Sequence, residues 1–484
     1  MAQLRESATP PQRTAGWRRA VRLRCPDRLF ENWPHLALAL AFLAGYCLLA
    51  LVRYERFGSP SWDLAIFTEA VKGYAHFGAP LVSAKGPGFN ALGDHWSPIL
   101  LLLAPFFRLV PSAATLLVGQ AALFAWSVGV VSQTSARVLH RRAQGLQIGT
   151  AYGLSWGLQR AIDAEFHEIA FAVPLLAVVG RQILLGRWER AAWWSLPLVL
   201  VKEDLGLTVA VVGVLLAWSG RRRCTGSVLV LLGLGFAALT FALLVPHFNP
   251  LHQYDYWSKL PGGVQPNLGQ VFGAPFTRLT VWKTMGWLLG IVGFLALRSP
   301  LTIIALPTLA WRFASSNPAF WGPDWHYSAT LMPILFLALA DAVRRCREAA
   351  PPWLKHYAEA VVAAAPVIAV ACLVSLPVGF GGLADPGAWP GGPHVAALRA
   401  AIARIPPGVR VESSLVTLAP LAARDDTYLI GAARQAAPQY VCLELAEHDP
   451  VAPDPAGYLA ALHPGSGYAV LFSGDRVVVL RRRA

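Results

Sequence analysis

Carboxylates, histidines and one lysine recur at four places in a chain that is otherwise dominated by leucine, alanine and valine. The four clusters are Asp63 with Asp94 and His95; Glu165, His167 and Glu168; Lys202, Glu203 and Asp204; and Asp324 with His326. A carboxylate could orient a hydroxyl nucleophile or take its proton. A lysine or histidine could stabilise the charge that develops on a departing phosphate. These clusters therefore contain the candidate catalytic residues.

Two of the clusters also contain candidate ligands for a divalent cation. The candidate metal ligands are Glu165, His167, Asp324 and His326. Carboxylates and imidazoles suit several metals, so the sequence leaves the cofactor unidentified. The six cysteines have neither C-x-x-C nor Cys/His spacing, which argues against a zinc ribbon and a redox motif.

The composition indicates where this chemistry would take place. Of 484 residues, 55% are hydrophobic and 14% are charged, whereas soluble domains carry about 25% charged residues. The chain is therefore predicted to be an α-helical polytopic membrane protein. Its net charge of +14 carries information on how the chain is oriented in the membrane, because Lys and Arg collect in the loops on the cytoplasmic side. Basic residues are not interleaved with aromatic ones, so we expect no nucleic-acid partner.

Charge and segment length predict the path of the chain through the membrane. Residues 1–34 form a basic cytoplasmic tail, and the first outer loop, residues 53–111, follows the first span. Two helices are predicted in that loop, an interfacial helix at residues 64–77 and an interfacial or re-entrant helix at residues 99–110. The second is too short to cross a hydrocarbon core of about 30 Å. If it did cross, the basic cluster after the next span would lie outside, against the positive-inside rule.

The same reasoning gives about eleven spans in a transmembrane domain at residues 35–380, with the N-terminus inside and the C-terminus outside. The spans are predicted at residues 36–52, 112–135, 146–158, 169–185, 191–201, 205–218, 228–245, 284–297, 301–313, 329–343 and 358–380. All four polar clusters then lie on the outer side, at the ends of spans, where ionisable groups tend to have a function.

The last part of the chain, residues 381–484, differs in composition and is predicted to be a small extracytoplasmic α/β domain. A linker rich in proline and glycine at residues 385–393 precedes it. Its predicted elements are a helix at 395–405, strands at 409–412, 428–430 and 440–443, and a hairpin at 467–482 that turns at 473–475.

Each polar cluster also has a purely structural explanation. Asp63 follows two serines and could cap the helix that begins there. Residues 165–168 could form a solvated loop, and residues 202–204 could be a turn whose charges neutralise one another. Asp324 and His326 could be loop polarity within a belt of interfacial aromatic residues. The side that the clusters share favours the functional explanation.

Four motifs resemble a known family of polytopic membrane proteins, domain of unknown function 2079. They are Asp63-Leu64-Ala65-Ile66-Phe67, His95-Trp96-Ser97-Pro98-Ile99-Leu100, Glu165-Phe166-His167-Glu168 and Val201-Lys202-Glu203-Asp204. The family is similar to the GT-C membrane glycosyltransferases, which use polyprenyl-phosphate sugars. This resemblance implies a central acidic residue in the first outer loop, matched by Asp63, and a lysine turn between short spans, matched by Lys202. Asp63 stands alone where protein mannosyltransferases have an Asp-Glu pair, which leaves the acceptor open.

The resulting hypothesis is transfer of a sugar from a polyprenyl-phosphate donor to a saccharide or protein acceptor at the outer face of a bacterial plasma membrane. The candidate catalytic residues are Asp63, His95, Glu165, His167 and Lys202. The candidate substrate-binding residues are Trp62, Trp96, Arg160, Glu168, Glu203, Asp204, Asp324 and His326. Lys202, Arg160 or His95 would stabilise the departing phosphate, and Trp62 and Trp96 could stack on sugar rings.

Non-enzymatic roles stay open at this point. The chain could be a carrier or flippase for lipid-linked saccharides, a scaffold for envelope enzymes, or a related fold that binds lipid sugars without turnover. A carrier needs polar groups along its path through the membrane. The predicted spans contain few charged residues, of which Arg181 is one, and this argues against a carrier. Membrane lipids are expected partners, and the oligomeric state is not predicted.

Overall fold

The computed structural model describes residues 28–263, 265, 267–376, 379–433, 437–446, 451 and 453–483. Most of these residues are helical, and a five-stranded sheet lies near the C-terminus. The predicted basic tail falls largely on residues 1–27, which lie outside the described residues. The α-helices are α1 (Arg28–Glu55), α2 (Asp63–Ala75), α3 (Ala104–Leu109), α4 (Ala113–Leu139), α5 (Arg142–Gly153), α6 (Trp156–Asp163), α7 (Ala172–Leu184), α8 (Trp188–Ser195), α9 (Leu205–Trp218), α10 (Arg223–Leu239), α11 (Val245–Phe248), α12 (Leu268–Thr277), α13 (Leu279–Gly290), α14 (Leu306–Ala314), α15 (Leu331–Ala349), α16 (Pro352–Ser375), α17 (Gly392–Arg404), α18 (Leu415–Ala422) and α19 (Pro455–Leu462). The strands are β1 (Arg410–Ser413), β2 (Asp426–Leu429), β3 (Tyr440–Glu444), β4 (Tyr468–Gly474) and β5 (Val477–Arg482).

Five helical segments in the described part of the chain are long and apolar enough to cross a membrane. They are Asn32–Glu55, Ala113–Leu139, Arg223–Phe248, His326–Ala349 and Pro352–Ser375. Three further apolar helices are shorter: Pro98–Leu109, Leu205–Trp218 and Pro300–Ala314. The structure therefore supports a multi-pass membrane protein, while the count of eleven spans and their orientation stay predictions.

Several predicted spans are interrupted in the structure. The segment predicted at 146–158 is divided between α5 and α6, and the one predicted at 191–201 ends in a 3₁₀ turn at Leu196–Leu200. Pro197 lies in that turn, and proline lacks the amide proton that the interior of an α-helix requires. One side of the turn packs inside the protein, because Leu198 is fully buried, as is Val201 directly after it, whereas Leu200 is exposed.

The first outer loop contains both predicted helices. α2 covers nearly the residues predicted, but nine of its 13 residues are buried. It is therefore held within the protein and does not lie freely on a membrane surface. The second helix begins as a 3₁₀ turn at Pro98–Leu103 and continues as α3. Its exposed large apolar side chains are Leu101, Leu102, Phe106 and Leu109, which suits contact with lipid.

α9 and α10 pack closely through glycines. A Cβ atom on Gly206 would lie 2.7 Å from the carbonyl oxygen of Gly233, and one on Gly213 would lie 2.7 Å from that of Gly226. Small residues at such contacts let two helix backbones approach each other in a membrane. Because α9 begins directly after the turn at residues 202–204, this packing also fixes that turn.

The sheet has the strand order β2-β1-β3-β5-β4. β1 pairs in parallel with β2 and β3, whereas the pairs β3–β5 and β4–β5 are antiparallel. α17 and all five strands lie where the sequence predicts a helix, three strands and a hairpin. The hairpin turns at Asp475 and Arg476, which both have positive φ, 39° and 64°, as the common two-residue turns require. α18 and α19 have no counterpart in the sequence-based prediction.

The part of the chain from α17 to β5, here called the C-terminal sheet unit, shares a core with the transmembrane helices. Leu418, Ala419 and Ala422 of α18 are at most 3% exposed and belong to the same hydrophobic cluster as Leu64 and Val71 of α2. Burial of a large apolar side chain stabilises a fold by about 1.5–3 kcal/mol relative to exposure. The sheet unit is therefore docked on the outer loop.

Candidate functional site

A cavity of about 310 Å³ brings the separate polar clusters of the sequence together. Predicted site residues that line it are Trp62, Asp63, His95, His167, Glu168, Lys202, Glu203, Asp204 and His326. They come from the start of α2, the loop before α3, the segment between α6 and α7, the turn before α9, and the segment before α15. These nine residues, which include members of all four polar clusters, therefore meet in one pocket.

Asp63 is the first residue of α2 and points into the cavity. Its Oδ2 atom accepts a hydrogen bond from the Ser61 hydroxyl at 2.8 Å and lies 3.3 Å from Nε2 of His167. The capping explanation is wrong, because Trp62 occupies the N-cap position and the backbone N–H of Asp63 itself donates to the hydroxyl of Ser61 at 3.3 Å. Burial raises the pKa of Asp63, but His167, Ser61 and Lys85 outweigh it and lower the pKa to about 2. The carboxylate is therefore charged at neutral pH.

His167 lies between Asp63 and a second histidine. The rings of His167 and His326 stack with their centroids 3.5 Å apart, and both residues are buried. The stacked pair therefore forms one part of the cavity wall beside Asp63. Nδ1 of His326 is buried without a hydrogen-bond partner among the described residues. This atom is therefore available to a ligand in the cavity.

The turn at residues 202–204 is held by partners that are distant in sequence. Nζ of Lys202 donates to Oε1 of Glu168 at 2.8 Å, and Nδ1 of His95 lies 2.8 Å from Oε1 of Glu203. The same Glu203 oxygen also accepts the hydroxyl of Tyr254 at 2.9 Å. The charges of the turn are therefore not neutralised within it alone, because Lys202 and Glu203 also pair with Glu168 and His95. The structure instead ties three segments of the cavity wall together through this turn.

Burial and paired charges set the ionisation of this turn. Burial raises the pKa of Glu203, but His95 and Lys202 outweigh it and lower the pKa to about 2. Burial lowers the pKa of Lys202, whereas Glu168, Glu203 and Asp204 raise it, and the net shift is upward. Asp204 differs from its neighbours, because burial raises its pKa to about 6. Its Oδ1 atom has no hydrogen-bond partner among the described residues.

Several cavity residues are missing from the sequence-based list. Lys85 forms an ion pair with Asp94, and Tyr256 lies with its ring centroid 4.5 Å from that of His95. Tyr254, Lys259 and Arg312 also line the cavity. Asp94 is adjacent to the predicted site residue His95, so the sequence could have identified Asp94 as a site residue. Lys85, Tyr254, Tyr256 and Lys259 come from loops with no recognisable motif, whereas Arg312 lies at the end of the span predicted at 301–313.

Lys259 differs from the other lysines of the cavity because no carboxylate pairs with it in the described part of the chain. Lys85 and Lys202 are each paired with a carboxylate. Nζ of Lys259 instead lies 3.8 Å from the ring centroid of Tyr256. Arg312 is also without a carboxylate partner there, but its guanidinium donates to Phe320, Gly322 and Ser328. Lys259 is therefore the cation best placed to meet an anionic ligand.

Four predicted site residues do not line the cavity. Glu165 is buried and accepts a hydrogen bond from Ser59 at 2.8 Å, and burial raises its pKa to about 8. Arg160 pairs at 3.5 Å with Asp324, whose side chain is 67% exposed. Trp96 packs against Phe236 and Phe248. The loop-polarity explanation is thus confirmed for Asp324, whereas the solvated-loop explanation is wrong for Glu165, His167 and Glu168, all at most 4% exposed.

The four candidate metal ligands are divided in the same way. His167 and His326 stack inside the cavity, while Glu165 points to Ser59 and Asp324 faces solvent beside Arg160. Among the described residues, no group of three or more His, Cys, Asp or Glu side chains is arranged to hold a metal ion. The set proposed from the sequence therefore does not assemble into one coordination site.

Comparison of the sequence with models of known protein families identifies the family of this chain. The family described as predicted membrane protein, DUF2079, matches residues 53–453. The chain belongs to this family. The DUF2079 match begins in the first outer loop and includes every residue that lines the cavity.

Other comparisons add little to the family assignment. No curated protein matches the sequence. Among solved structures, the chain is similar to the crystal structure of ArnT from Cupriavidus metallidurans in the apo state. The two chains are 13% identical with a TM-score of 0.43, and the similarity covers 93% of this chain and 98% of that one. At these values the similarity says nothing about the chemistry of the cavity.

Proposed function

We propose that this DUF2079 protein is a membrane glycosyltransferase that moves a sugar from a polyprenyl-phosphate donor to an acceptor outside the cytoplasm. The observation that carries the proposal is the meeting in one cavity of a charged carboxylate, Asp63, with Lys259, a lysine that lacks a carboxylate partner within the described ranges of the chain. Such a cavity offers a negative group to the sugar and a positive group to a phosphate. The cavity belongs to a protein with several apolar helices, which suits a lipid-linked donor.

The carboxylate would act on the acceptor and on the sugar. The acceptor hydroxyl oxygen forms a bond to the anomeric carbon, its proton passes to Asp63, and the bond from that carbon to the phosphate oxygen breaks. The bonding electrons leave with the polyprenyl phosphate. A carboxylate with a pKa of about 2 is a weak base, so its larger contribution is to orient the hydroxyl and stabilise positive charge on the sugar.

The phosphate would bind Lys259. This replaces the role that the sequence suggested for Lys202, whose ammonium already pairs with Glu168 at 2.8 Å. Lys202 then serves to hold the turn that carries Asp204. Arg160 does not line the cavity, so it is removed from the list of phosphate ligands. A preorganised cation in a dry site stabilises a developing anion better than a solvated one.

Aromatic residues would bind the sugar and the start of the lipid. Trp62, Tyr254, Tyr256 and Trp311 line the cavity, and such rings stack on the apolar faces of sugars. The proposal includes the predicted topology, with about eleven spans, the N-terminus inside, and the cavity facing outward from a bacterial plasma membrane. Its partners are membrane lipids, the lipid-linked donor and a saccharide or protein acceptor.

The test is sugar transfer by the purified protein in proteoliposomes, with radiolabelled polyprenyl-phosphate sugars and membrane acceptors. The Asp63→Asn variant should lose activity by about 100-fold or more, as expected for a charged group that orients the hydroxyl and stabilises the positive charge on the sugar. The control is Glu189→Gln, because the Glu189 side chain is 56% exposed and pairs with Arg222 far from the cavity. Transfer at the parental rate by Asp63→Asn would remove Asp63 from the mechanism. Binding of lipid-linked sugars without transfer from any donor would favour the carrier or scaffold role.

A further inference from the structure

Different faces of α2 contact different parts of the protein. Asp63, Ile66 and Phe67 line the cavity. Successive residues are about 100° apart around the helix, so Lys72 lies about half a turn from Asp63 and Glu69 about a third of a turn from it. Glu69 and Lys72 both contact the C-terminal sheet unit, and Glu69 also contacts the outer loop. A movement of that unit would therefore move the helix that carries Asp63.

Glu69 joins three segments through one buried carboxylate. Its Oε2 atom accepts the backbone N–H of Ala84 and its Oε1 atom accepts the backbone N–H of Thr427, both at 3.1 Å. Ala84 belongs to the outer loop, and Thr427 lies in β2. Glu69 is 2% exposed, so solvent cannot replace these bonds. Removing the carboxylate would leave two buried donors without partners, which is more costly than losing a solvated contact.

Lys72 adds a second contact one turn along the same face. Its ammonium donates to the backbone carbonyl oxygens of Ala422, at the end of α18, and of Asp425, just before β2. Together Glu69 and Lys72 contact both ends of the segment that connects α18 to β2. The apolar residues of α18 pack into the same core as α2, so polar and apolar contacts hold the helix from one side.

We infer that Glu69 is a positioning residue, through which the C-terminal sheet unit fixes α2 and hence places Asp63 in the cavity. The consequence for catalysis rests on the proposed function. The consequence for the position of α2 does not. An enzyme of this kind needs its carboxylate held within a fraction of an ångström, since small displacements of reacting groups are costly in rate. The sheet unit would provide that rigidity from outside the membrane.

The test uses full-length protein carrying Glu69→Gln or Lys72→Met and compares amide hydrogen exchange with sugar transfer. A glutamine at position 69 can accept only one of the two N–H bonds, so exchange should rise about tenfold in peptides covering α2, including its first turn, and in β2. Transfer per bound molecule of polyprenyl-phosphate sugar should fall by about tenfold or more, with unchanged binding stoichiometry. The control is Arg399→Gln, which breaks a more than half-exposed ion pair between the same unit and Glu55.

Each result decides one part of the inference. Parental exchange in the first turn of α2, or increased exchange without loss of transfer, would overturn the positioning role of Glu69. An equal effect in the Arg399→Gln control would also overturn it, because general loosening of the sheet unit would then explain the loss. No transfer by the parent protein would contradict the proposed function only, since the exchange pattern still decides whether Glu69 holds α2.

Discussion

Oδ2 of Asp63 lies 3.3 Å from Nε2 of His167, although the two residues are 104 positions apart in the chain. The pairing joins the first outer loop to the segment between α6 and α7. It also keeps the carboxylate charged, because His167 is the main opponent of the burial that would raise the pKa of Asp63. The relationship predicts how the protein responds to acid.

Replacing His167 should make transfer sensitive to mild acid. With His167 present, the pKa of Asp63 is lowered to about 2, so Asp63 stays ionised down to that pH. In the His167→Gln variant, burial is less opposed and the pKa rises, so Asp63 becomes protonated and transfer falls at a higher pH than in the parent. The pH–rate profile measures this change, with the exposed His356→Gln as control. An acid limb at the same pH in parent and variant would contradict the role of His167.

Replacing one partner of the ion pair between Lys202 and Glu168 should lower the free energy of unfolding more than the pair's joint replacement would suggest. Both side chains are largely buried, 16% and 1% exposed, so Lys202→Met or Glu168→Gln alone leaves a buried charge without its hydrogen-bonded partner and should cost about 3–5 kcal/mol in unfolding free energy. The double variant should cost clearly less than the sum. The double-mutant cycle is measured by thermal or denaturant unfolding of the four proteins in detergent.

A matched control for that cycle is the exposed pair of Arg222 and Glu189, whose atoms lie 3.1 Å apart. Its coupling should be about 0–1 kcal/mol, because water screens both charges. Additive effects of the Lys202 and Glu168 substitutions would show that the two groups do not depend on each other.

Asp204 should reduce stability as pH rises. Its pKa is raised from 3.8 to about 6 in the folded protein, so the folded state binds the proton more tightly than the unfolded state. The contribution to stability is present at about pH 4 and is lost as pH rises through about 6. The melting temperature of Asp204→Asn relative to the parent should therefore increase from pH 4 to pH 7. A constant difference over this range would show that burial does not perturb Asp204.

Two glycines in α10 test the packing against α9. A Cβ atom at Gly233 would lie 2.5 Å from the carbonyl oxygen of Gly206, whereas one at Gly235 meets nothing within 4 Å. Gly233→Ala should therefore destabilise the protein by about 1–3 kcal/mol through overpacking. Gly235→Ala should be neutral or slightly stabilising, because alanine favours the helix. Equal melting temperatures of the two variants in detergent would contradict the close contact.

The polar groups of the site were more predictable than their partners. Charge along the chain placed Asp63, His167 and Lys202 on one side of the membrane, and groups at the ends of neighbouring helices can share a cavity. Lys85 and Lys259 could not be found in this way, because each lies in a loop without periodicity. The role of Glu69 depends on Thr427, 358 positions away, and no local pattern encodes such a contact.

The helices show the same division. α9 has the predicted bounds, Leu205–Trp218, because a charged turn precedes it and a basic run follows it. The spans predicted around α5 and α8 are wrong in extent, because the helix ends within each of them although the sequence stays apolar. Pro197 marks the break after α8, and no residue pattern marks the break after α5. The β4–β5 hairpin was recognisable because its alternation and turn residues are local.

The most direct measurement is a cryo-electron microscopy structure of the protein in lipid nanodiscs with undecaprenyl phosphate. The phosphate density should lie in the cavity within hydrogen-bonding distance of Nζ of Lys259, on the side facing Asp63. It should be absent when Lys259→Met is imaged under the same conditions. Phosphate density confined to the basic groove at Arg298 and Arg345, with the cavity containing none, would contradict a lipid-phosphate site beside Asp63.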